Sequence, residues 1–196
     1  MVGLKPTHGL LAVDYIVPIA ATQDTAGPIT KSVAGAALML DGMTGWENDY
    51  FSGLDASIVN GMRIGNLDYS RNDNPRLNAQ FDKAIARLQA VGAEIIHIES
   101  APDIPPAFYS ASRKVLEIEF KALLDEYLAE SPADIPIRNL AELVAFNTDN
   151  AEIEQAIFGQ DIFESALGQP ALSSVEYQDA LTLIRDTTRV RGVDAL

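Results

Sequence analysis

The chain has 196 residues, of which 47% are apolar and 21% charged, and it contains no cysteine. Its length and apolar content exclude a disordered chain and suffice for one packed domain. With 14 basic and 28 acidic residues the net charge is −14, which disfavours nucleic acid and anionic membranes as partners, and the lack of thiols excludes disulfides and a cysteine nucleophile.

The first 60 residues predict short strands followed by a helix. Residues 10–13 and 15–19 are short apolar runs bracketed by glycine and proline, which indicates strands or a hairpin. Pro28 suits the first turn of a helix, and apolar residues continue from it at helical spacing to a stop near Gly45. Residues 46–60 are expected to form a surface loop.

A strand, a helix and a second strand are predicted next. Residues 62–67 form the first strand, Asn74 and Pro75 open a helix that Gly92 closes, and residues 93–99 form the second strand. This order predicts two adjacent parallel strands joined by a right-handed crossover.

From residue 106 onward the pattern is helical. An apolar stripe predicts a long helix that stops before Pro132, and Asn139 is a candidate N-cap for a helix over residues 140–147. A further helix is predicted across residues 151–166.

The last predicted helix begins at a capping-box pair, Ser173 and Glu176. Basic side chains near its C-terminal end oppose the helix dipole, and these are Arg185, Arg189 and Arg191.

The predicted fold class is therefore α/β, a few-stranded mixed sheet with many flanking helices. We expect one incomplete domain over residues 1–196, with an α/β part in 1–100 and a mainly helical part in 101–196. A parallel sheet usually has more strands than this pattern provides, so we expect the chain to be an internal piece of a larger domain.

No segment predicts a signal peptide or a membrane span. The most apolar stretch near the start, residues 10–21, is broken by Asp14 and Pro18, and no later segment approaches the roughly 18 apolar residues needed to cross a bilayer. We therefore expect a cytoplasmic protein without membrane contact.

General catalytic motifs are not found in the sequence. It has no G-x-S-x-G elbow, no S-x-x-K motif, no glycine-rich phosphate loop and no recognisable metal-ligand spacing, so we expect no cofactor and no metal. His8 in a turn and His97 in a strand fit structural roles better than catalytic ones.

The polar turn from Thr22 to Pro28 is a candidate site. It joins a predicted strand to a predicted helix, which is where α/β sheets bind ligands. The residues alone favour the alternative, ordinary N-capping by Asp24 or Thr25.

Several motifs change that interpretation. Gly3-Leu4-Lys5-Pro6-Thr7, Ile16-Val17-Pro18-Ile19, Gln23-Asp24-Thr25-Ala26-Gly27-Pro28 and Val33-Ala34-Gly35-Ala36-Ala37 follow in an order and spacing that resembles the amidase signature family. Leu116-Glu117-Ile118-Glu119-Phe120-Lys121, residues 139–147, Phe158-Gly159-Gln160 and Arg191-Gly192-Val193-Asp194 are similar to its peptide amidase branch. The resemblance covers almost the whole chain and is less specific in residues 46–60 and 100–112.

The resemblance implies hydrolysis of carboxamides to carboxylate and ammonia by a serine, a second serine in a cis peptide and a lysine. It implies a large mixed sheet flanked by helices in a chain over twice this length. In the family the catalytic residues and the oxyanion loop precede the G-L-K-P-T strand, so no residue here is assigned a catalytic role, and Lys5 is not the catalytic lysine. We therefore expect a fragment that is inactive in isolation.

The resemblance also implies substrate-binding residues for a small amide or peptide amide in the longer parent. The turn residues Gln23, Asp24 and Thr25 would lie nearest the chemistry, with Asp24 paired to an arginine that follows the nucleophile. Weaker candidates for the pocket wall, which fit packing elements equally well, are Asn147, Phe158 and Gln160.

A second hypothesis makes the chain a non-catalytic remnant with a structural role. Its exposed sheet edges and uncovered apolar faces would then pair with another copy and form a homo-oligomer.

Overall fold

The structure, a computed structural model, describes residues 1–195, and Leu196 at the end of the predicted domain lies outside the described residues. Four strands form two separate two-stranded sheets, one antiparallel and one parallel, and seven α-helices flank and follow them in the described part. This arrangement confirms the predicted α/β class with few strands, many helices and a mainly helical C-terminal half.

The first sheet pairs strand β1 (Val2–Gly3) with strand β2 (Ile29–Thr30) in antiparallel orientation. Helix α1 (Val33–Met43) follows, and the Ser32 hydroxyl caps it by accepting a hydrogen bond from Gly35 N at 3.0 Å. The predicted helix start at Pro28 is therefore wrong, because the two residues after Pro28 pair with β1 and Ser32 supplies the cap.

The strands predicted at residues 10–13 and 15–19 are also wrong. The backbone N–H groups of this segment donate within turns, from Leu10 to Thr7 O and from Ile16 to Val13 O, both at 3.1 Å. Tyr15 adopts a φ of +64°, which a β-strand does not allow. The glycines and prolines that bracket the apolar runs here mark successive turns.

Residues 46–60 form the predicted surface loop and include one short 3-10 helix, Ala56–Val59. The buried carboxylate of Asp41 in α1 holds this loop by accepting hydrogen bonds from Tyr50 N at 2.7 Å and Phe51 N at 3.0 Å.

The predicted strand–helix–strand unit is confirmed. Strand β3 (Arg63–Leu67) and strand β4 (Glu94–Ile98) pair in parallel, and helix α2 (Pro75–Ala90) connects them. The Asn74 side chain caps α2 by accepting hydrogen bonds from two backbone N–H groups, and Gly92 closes the unit at a φ of +95°.

The helical half packs around one long helix, α3 (Phe108–Ala129), which ends before Pro132 as predicted. Helix α4 (Leu140–Asp149) begins at the predicted N-cap Asn139, whose side chain accepts from Glu142 N at 2.9 Å. One core cluster joins α3 to the last helix, and a second joins it to α4 and the helix before the last.

The helix predicted across residues 151–166 is two helices, α5 (Ala151–Glu154) and α6 (Asp161–Leu167). Side chains of the intervening segment bond back to α4, since Gln155 Nε2 donates to Asn147 O at 3.1 Å and Gln160 Nε2 to Thr148 Oγ1 at 3.0 Å. These contacts with α4 break the helix.

The last helix, α7 (Val175–Arg185), is capped by Ser174, which accepts from Tyr177 N at 3.2 Å, and the predicted cap Ser173 is wrong by one residue. A π-helical turn, Asp186–Val190, continues from it. No helix within residues 1–195 is both long and apolar enough to cross a membrane.

Candidate functional site

The turn predicted at residues 22–28 overlaps a compact loop, residues 19–25, which precedes β2. Asp24 organises it, because Oδ2 accepts hydrogen bonds from Ile19 N at 2.8 Å and Ala20 N at 2.9 Å. In return, Ala20 O accepts from Gln23 N at 2.9 Å and from Asp24 N at 2.8 Å. The predicted helix N-capping by Asp24 or Thr25 is therefore wrong, because Asp24 bonds backbone N–H groups that precede it and Ser32 caps the next helix.

The three predicted turn residues differ in exposure. The Gln23 side chain is exposed, whereas Asp24 and Thr25 are half-buried. The loop therefore presents Gln23 to solvent while it uses Asp24 to fix its own backbone.

A buried glutamate of α3 attaches this loop to the helical half. Glu119 Oε2 accepts hydrogen bonds from Thr22 N at 3.1 Å and Thr22 Oγ1 at 3.0 Å, while Oε1 accepts from the Tyr177 hydroxyl at 2.6 Å. Sequence reasoning missed this role. The sequence does carry one indication of it. Glu119 lies within the apolar stripe of the long helix, and an acidic side chain that is buried there needs hydrogen-bond donors around it.

A second buried carboxylate lies close by on α3, two residues earlier. Glu117 accepts hydrogen bonds from Arg113 Nε at 2.6 Å and from Ser165 Oγ and Gln169 Nε2, both at 2.8 Å. Burial alone raises the pKa of Glu117, but these hydrogen bonds and the charge of Arg113 outweigh it and leave the pKa below its usual value. Glu117 therefore stays ionised and joins α3 to α6.

The other three predicted site residues come together at a cavity of about 260 Å³ between α4 and α6. Asn147, Phe158 and Gln160 all line it. Phe158 is 80% exposed, so it does not pack in the core, whereas Gln160 is only 9% exposed.

Gln160 is incompletely bonded within the described residues. Its Nε2 donates to Val144 O at 3.3 Å and to Thr148 Oγ1, but its buried Oε1 has no hydrogen-bond partner there. A buried acceptor without a donor is costly, and native proteins keep few of them. Oε1 is therefore an unsatisfied acceptor of a residue that lines the cavity.

The structure thus brings the predicted residues together in two groups, since Gln23, Asp24 and Thr25 do not line the cavity of Asn147, Phe158 and Gln160. Helix α3 contacts both groups. Glu119 bonds the loop, and the next residue, Phe120, stacks on Phe163 of the cavity wall with ring centroids 5.4 Å apart.

The two histidines have local contacts. His8 Nε2 lies 2.7 Å from Ala21 O, and His97 Nδ1 lies 2.7 Å from Asp68 Oδ2. Within residues 1–195, no group of three or more His, Asp or Glu side chains is arranged to hold a metal ion.

The fold and the motifs it carries define an amidase-type α/β protein. The sequence model of the family described as "Amidase" matches residues 1–193, and the chain belongs to this family.

Solved structures agree with this assignment. The chain is similar to the peptide amidase of Stenotrophomonas maltophilia, with 34% identity and a TM-score of 0.82 over 97% of this chain and 41% of that chain. An amidase family protein of Bacillus anthracis shares the fold at a TM-score of 0.73 and 24% identity, over 96% of this chain and 39% of that one.

Curated relatives agree as well. A "Probable amidase" of Arabidopsis thaliana is 29% identical over an alignment 215 positions long that covers 100% of this chain and 40% of the relative. A glutamyl-tRNA(Gln) amidotransferase component of Ruegeria is 36% identical over 55% of this chain and 25% of its own length. The chain therefore spans at most about 40% of these relatives.

Proposed function

We propose that this chain is the substrate-binding side of a serine amidase that hydrolyses carboxamides of the peptide-amide type to carboxylate and ammonia. The observation that carries the proposal is the similarity to a peptide amidase along 97% of the chain. In this proposal the catalytic serines and lysine lie in a separate segment of the amidase fold, so this chain by itself is inactive. The cytoplasmic location stays a prediction.

The loop at Asp24 would lie beside the nucleophile. Both hydrogen bonds that the Asp24 carboxylate accepts within the loop use Oδ2. Oδ1 is then available to the arginine that the family resemblance places after the nucleophile, which makes Asp24 a residue that positions the reacting segment. The exposed Gln23 and the half-buried Thr25 would face the substrate.

The cavity between α4 and α6 would hold a more distant part of the substrate. Phe158 offers an exposed apolar surface, and Gln160 Oε1 offers an acceptor that lacks a donor within residues 1–195. A peptide amide carries both apolar side chains and N–H donors. Asn147 on the same wall adds a second polar group.

The test is ammonia release from a peptide amide. We expect none from the 196-residue chain alone, and measurable release when the chain is fused to the part of the Stenotrophomonas maltophilia peptide amidase that it does not match. An inactive, folded fusion would contradict the amidase proposal, and activity of the isolated chain would contradict the assignment of the catalytic residues to another segment.

The role of Gln160 is tested in the same fusion. Gln160→Leu should raise KM for a peptide amide about tenfold, because it removes the proposed acceptor Oε1 together with the two hydrogen bonds by which Nε2 holds the residue on α4. Gln178→Leu on α7 is the matched control, since Gln178 is exposed and does not line the cavity. Equal KM values for the two variants would remove Gln160 from the site.

We propose self-association as a second function, and one uncovered face favours it. Gly65, Leu67, Ile96 and Ile98 lie on the same face of the β3–β4 pair and, with Val193, line an open groove of about 430 Å³. Both strands are also edges of a two-stranded sheet. Apolar faces and open edges of this kind pair readily with another copy.

Light scattering at micromolar concentration should then report a homo-oligomer. Val193 is 75% exposed, so Val193→Asp should leave the fold intact and raise the dissociation constant about tenfold or more. Val190→Asp is the control, because Val190 is also exposed and does not line the groove. If the unsubstituted 196-residue chain is a monomer, this second function is contradicted.

A further inference from the structure

Glu119 is the most deeply buried carboxylate among the described residues, and it contacts the candidate loop. It lies in the middle of α3 with 1% exposure, and its two oxygens accept three hydrogen bonds. Two of the donors belong to Thr22, which immediately precedes Gln23, and the third is the phenol of Tyr177 on α7. Three segments far apart in sequence therefore meet at one carboxylate.

The three donors explain how a carboxylate persists in this environment. A buried carboxylate is costly unless hydrogen bonds replace its hydration, and bonds to an ionised acceptor are stronger than neutral ones. Burial and the neighbouring Glu119 raise the pKa of Tyr177 to about 12, so the phenol remains protonated and donates throughout the physiological range.

The bonds to Thr22 fix the orientation of the whole loop. Internally the loop is already closed by Asp24 and by Ala20 O. These bonds join the loop into one unit, and Thr22 N and Thr22 Oγ1, which both donate to Glu119 Oε2, attach that unit to α3. Because Gln23 to Thr25 follow directly, their placement depends on the same carboxylate.

Glu117 provides a matched comparison within the same helix. It is buried to a similar degree and has three side-chain donors, but these come from Arg113, Ser165 and Gln169 and not from the loop. Loss of a donor to Glu117 therefore removes a comparable buried hydrogen bond without touching the loop.

We propose that Glu119, supported by Tyr177, is a positioning residue. It holds the loop of residues 19–25, and with it Gln23 to Thr25, in the substrate-binding geometry. This inference rests on the proposed amidase function for its consequence in catalysis. The geometry of the loop, however, can be tested without any enzymatic activity.

The first experiment measures amide hydrogen exchange by NMR in the 196-residue chain. Thr22→Val and Tyr177→Phe each delete one hydroxyl donor to Glu119, and Ser165→Ala deletes one hydroxyl donor to Glu117. We expect exchange at residues 20–24 to become about tenfold faster in the first two variants and to change less than about threefold in the control. Equal effects in all three variants would overturn the inference.

The second experiment uses the fusion described above with a peptide amide as substrate. Thr22→Val should lower kcat about tenfold with a smaller change in KM, because a displaced loop misaligns bound substrate more than it weakens binding. Glu119→Gln should retain most activity, since its amide oxygen can still accept from Thr22 while its NH₂ donates to the Tyr177 oxygen.

The outcomes separate the two proposals. Faster loop exchange with an inactive parent fusion supports the positioning role of Glu119 for the loop and contradicts the amidase function. An active fusion in which Thr22→Val and Ser165→Ala have the same kcat overturns the positioning role and leaves the amidase function intact.

Discussion

Residues 101–195 pack two apolar core clusters around α3, whereas residues 1–100 form no such cluster among the described residues and leave most of their large apolar side chains exposed. In the helical half Val115, Ile118, Leu140 and Ala166 are all at most 1% exposed. In the α/β half the buried apolar residues are mainly alanines, and helix α2 has no buried residue at all. The large apolar side chains of α2, Leu77 and Phe81, are exposed.

The difference indicates two sources of stability within one chain. The helical half has two core clusters that share α3, one formed with α7 and the other with α4 and α6. The α/β half has two-stranded sheets, which are marginal on their own, and is held by polar contacts such as those of Asp41 and Asp24. In the functions proposed above, its exposed apolar side chains would contact another segment of an amidase fold or a second copy.

The largest expected effect tests this comparison directly. Leu140 in α4 is 0% exposed, so Leu140→Ala should lower the free energy of unfolding by about 2–5 kcal/mol through lost burial and a cavity. Leu38 in α1 is 47% exposed, and Leu38→Ala should cost less than about 1 kcal/mol. Urea unfolding of the two variants measures both values. Similar losses would mean that the α/β half has a core as important as that of the helical half.

The elements that the sequence predicted correctly are those set by local residues. Asn74 and Pro75 open α2, Gly92 closes it at positive φ, and Asn139 caps α4, all through contacts within a few residues. The errors have two different causes. At residues 10–19 the glycines and prolines mark local turns, in which Leu10 N donates to Thr7 O and Ile16 N to Val13 O. At residues 151–166 bonds to α4 divide the predicted helix.

The candidate site shows the same division. Sequence motifs predicted Gln23 to Thr25, and the structure places Asn147, Phe158 and Gln160 at one cavity. Substrate binding by these residues stays a prediction. Glu119 was not identified, because its partners Thr22 and Tyr177 are 97 and 58 residues away and only the folded chain brings them together.

The next effect concerns the polar support of the α/β half. Asp24→Ala removes the acceptor of Ile19 N and Ala20 N and should lower the free energy of unfolding by about 1–2 kcal/mol. Asp24→Asn keeps one acceptor oxygen and should cost roughly half as much. Hydrogen exchange at residues 19 and 20 locates the loss. Unchanged exchange in Asp24→Ala would show that the loop does not depend on this carboxylate.

The smallest effect is a pH dependence at the contact between the halves. Burial, with the hydrogen bond to Glu119, raises the pKa of Tyr177 to about 12 in the folded chain, against about 10 for an unfolded tyrosine. The unfolded chain therefore loses this proton first, so the contribution is fully present below about pH 10 and declines as the pH rises toward about 12. Between about pH 8 and about pH 11, the ionisation of Tyr177 should therefore lower the free energy of unfolding by about 1 kcal/mol.

Urea unfolding of the unsubstituted chain and of Tyr177→Phe at about pH 8 and about pH 11 measures this contribution. It is the amount by which the free energy of unfolding falls more in the unsubstituted chain than in the variant. Parallel declines would mean that Tyr177 ionises as readily in the folded chain as in the unfolded one, and that neither burial nor Glu119 raises its pKa.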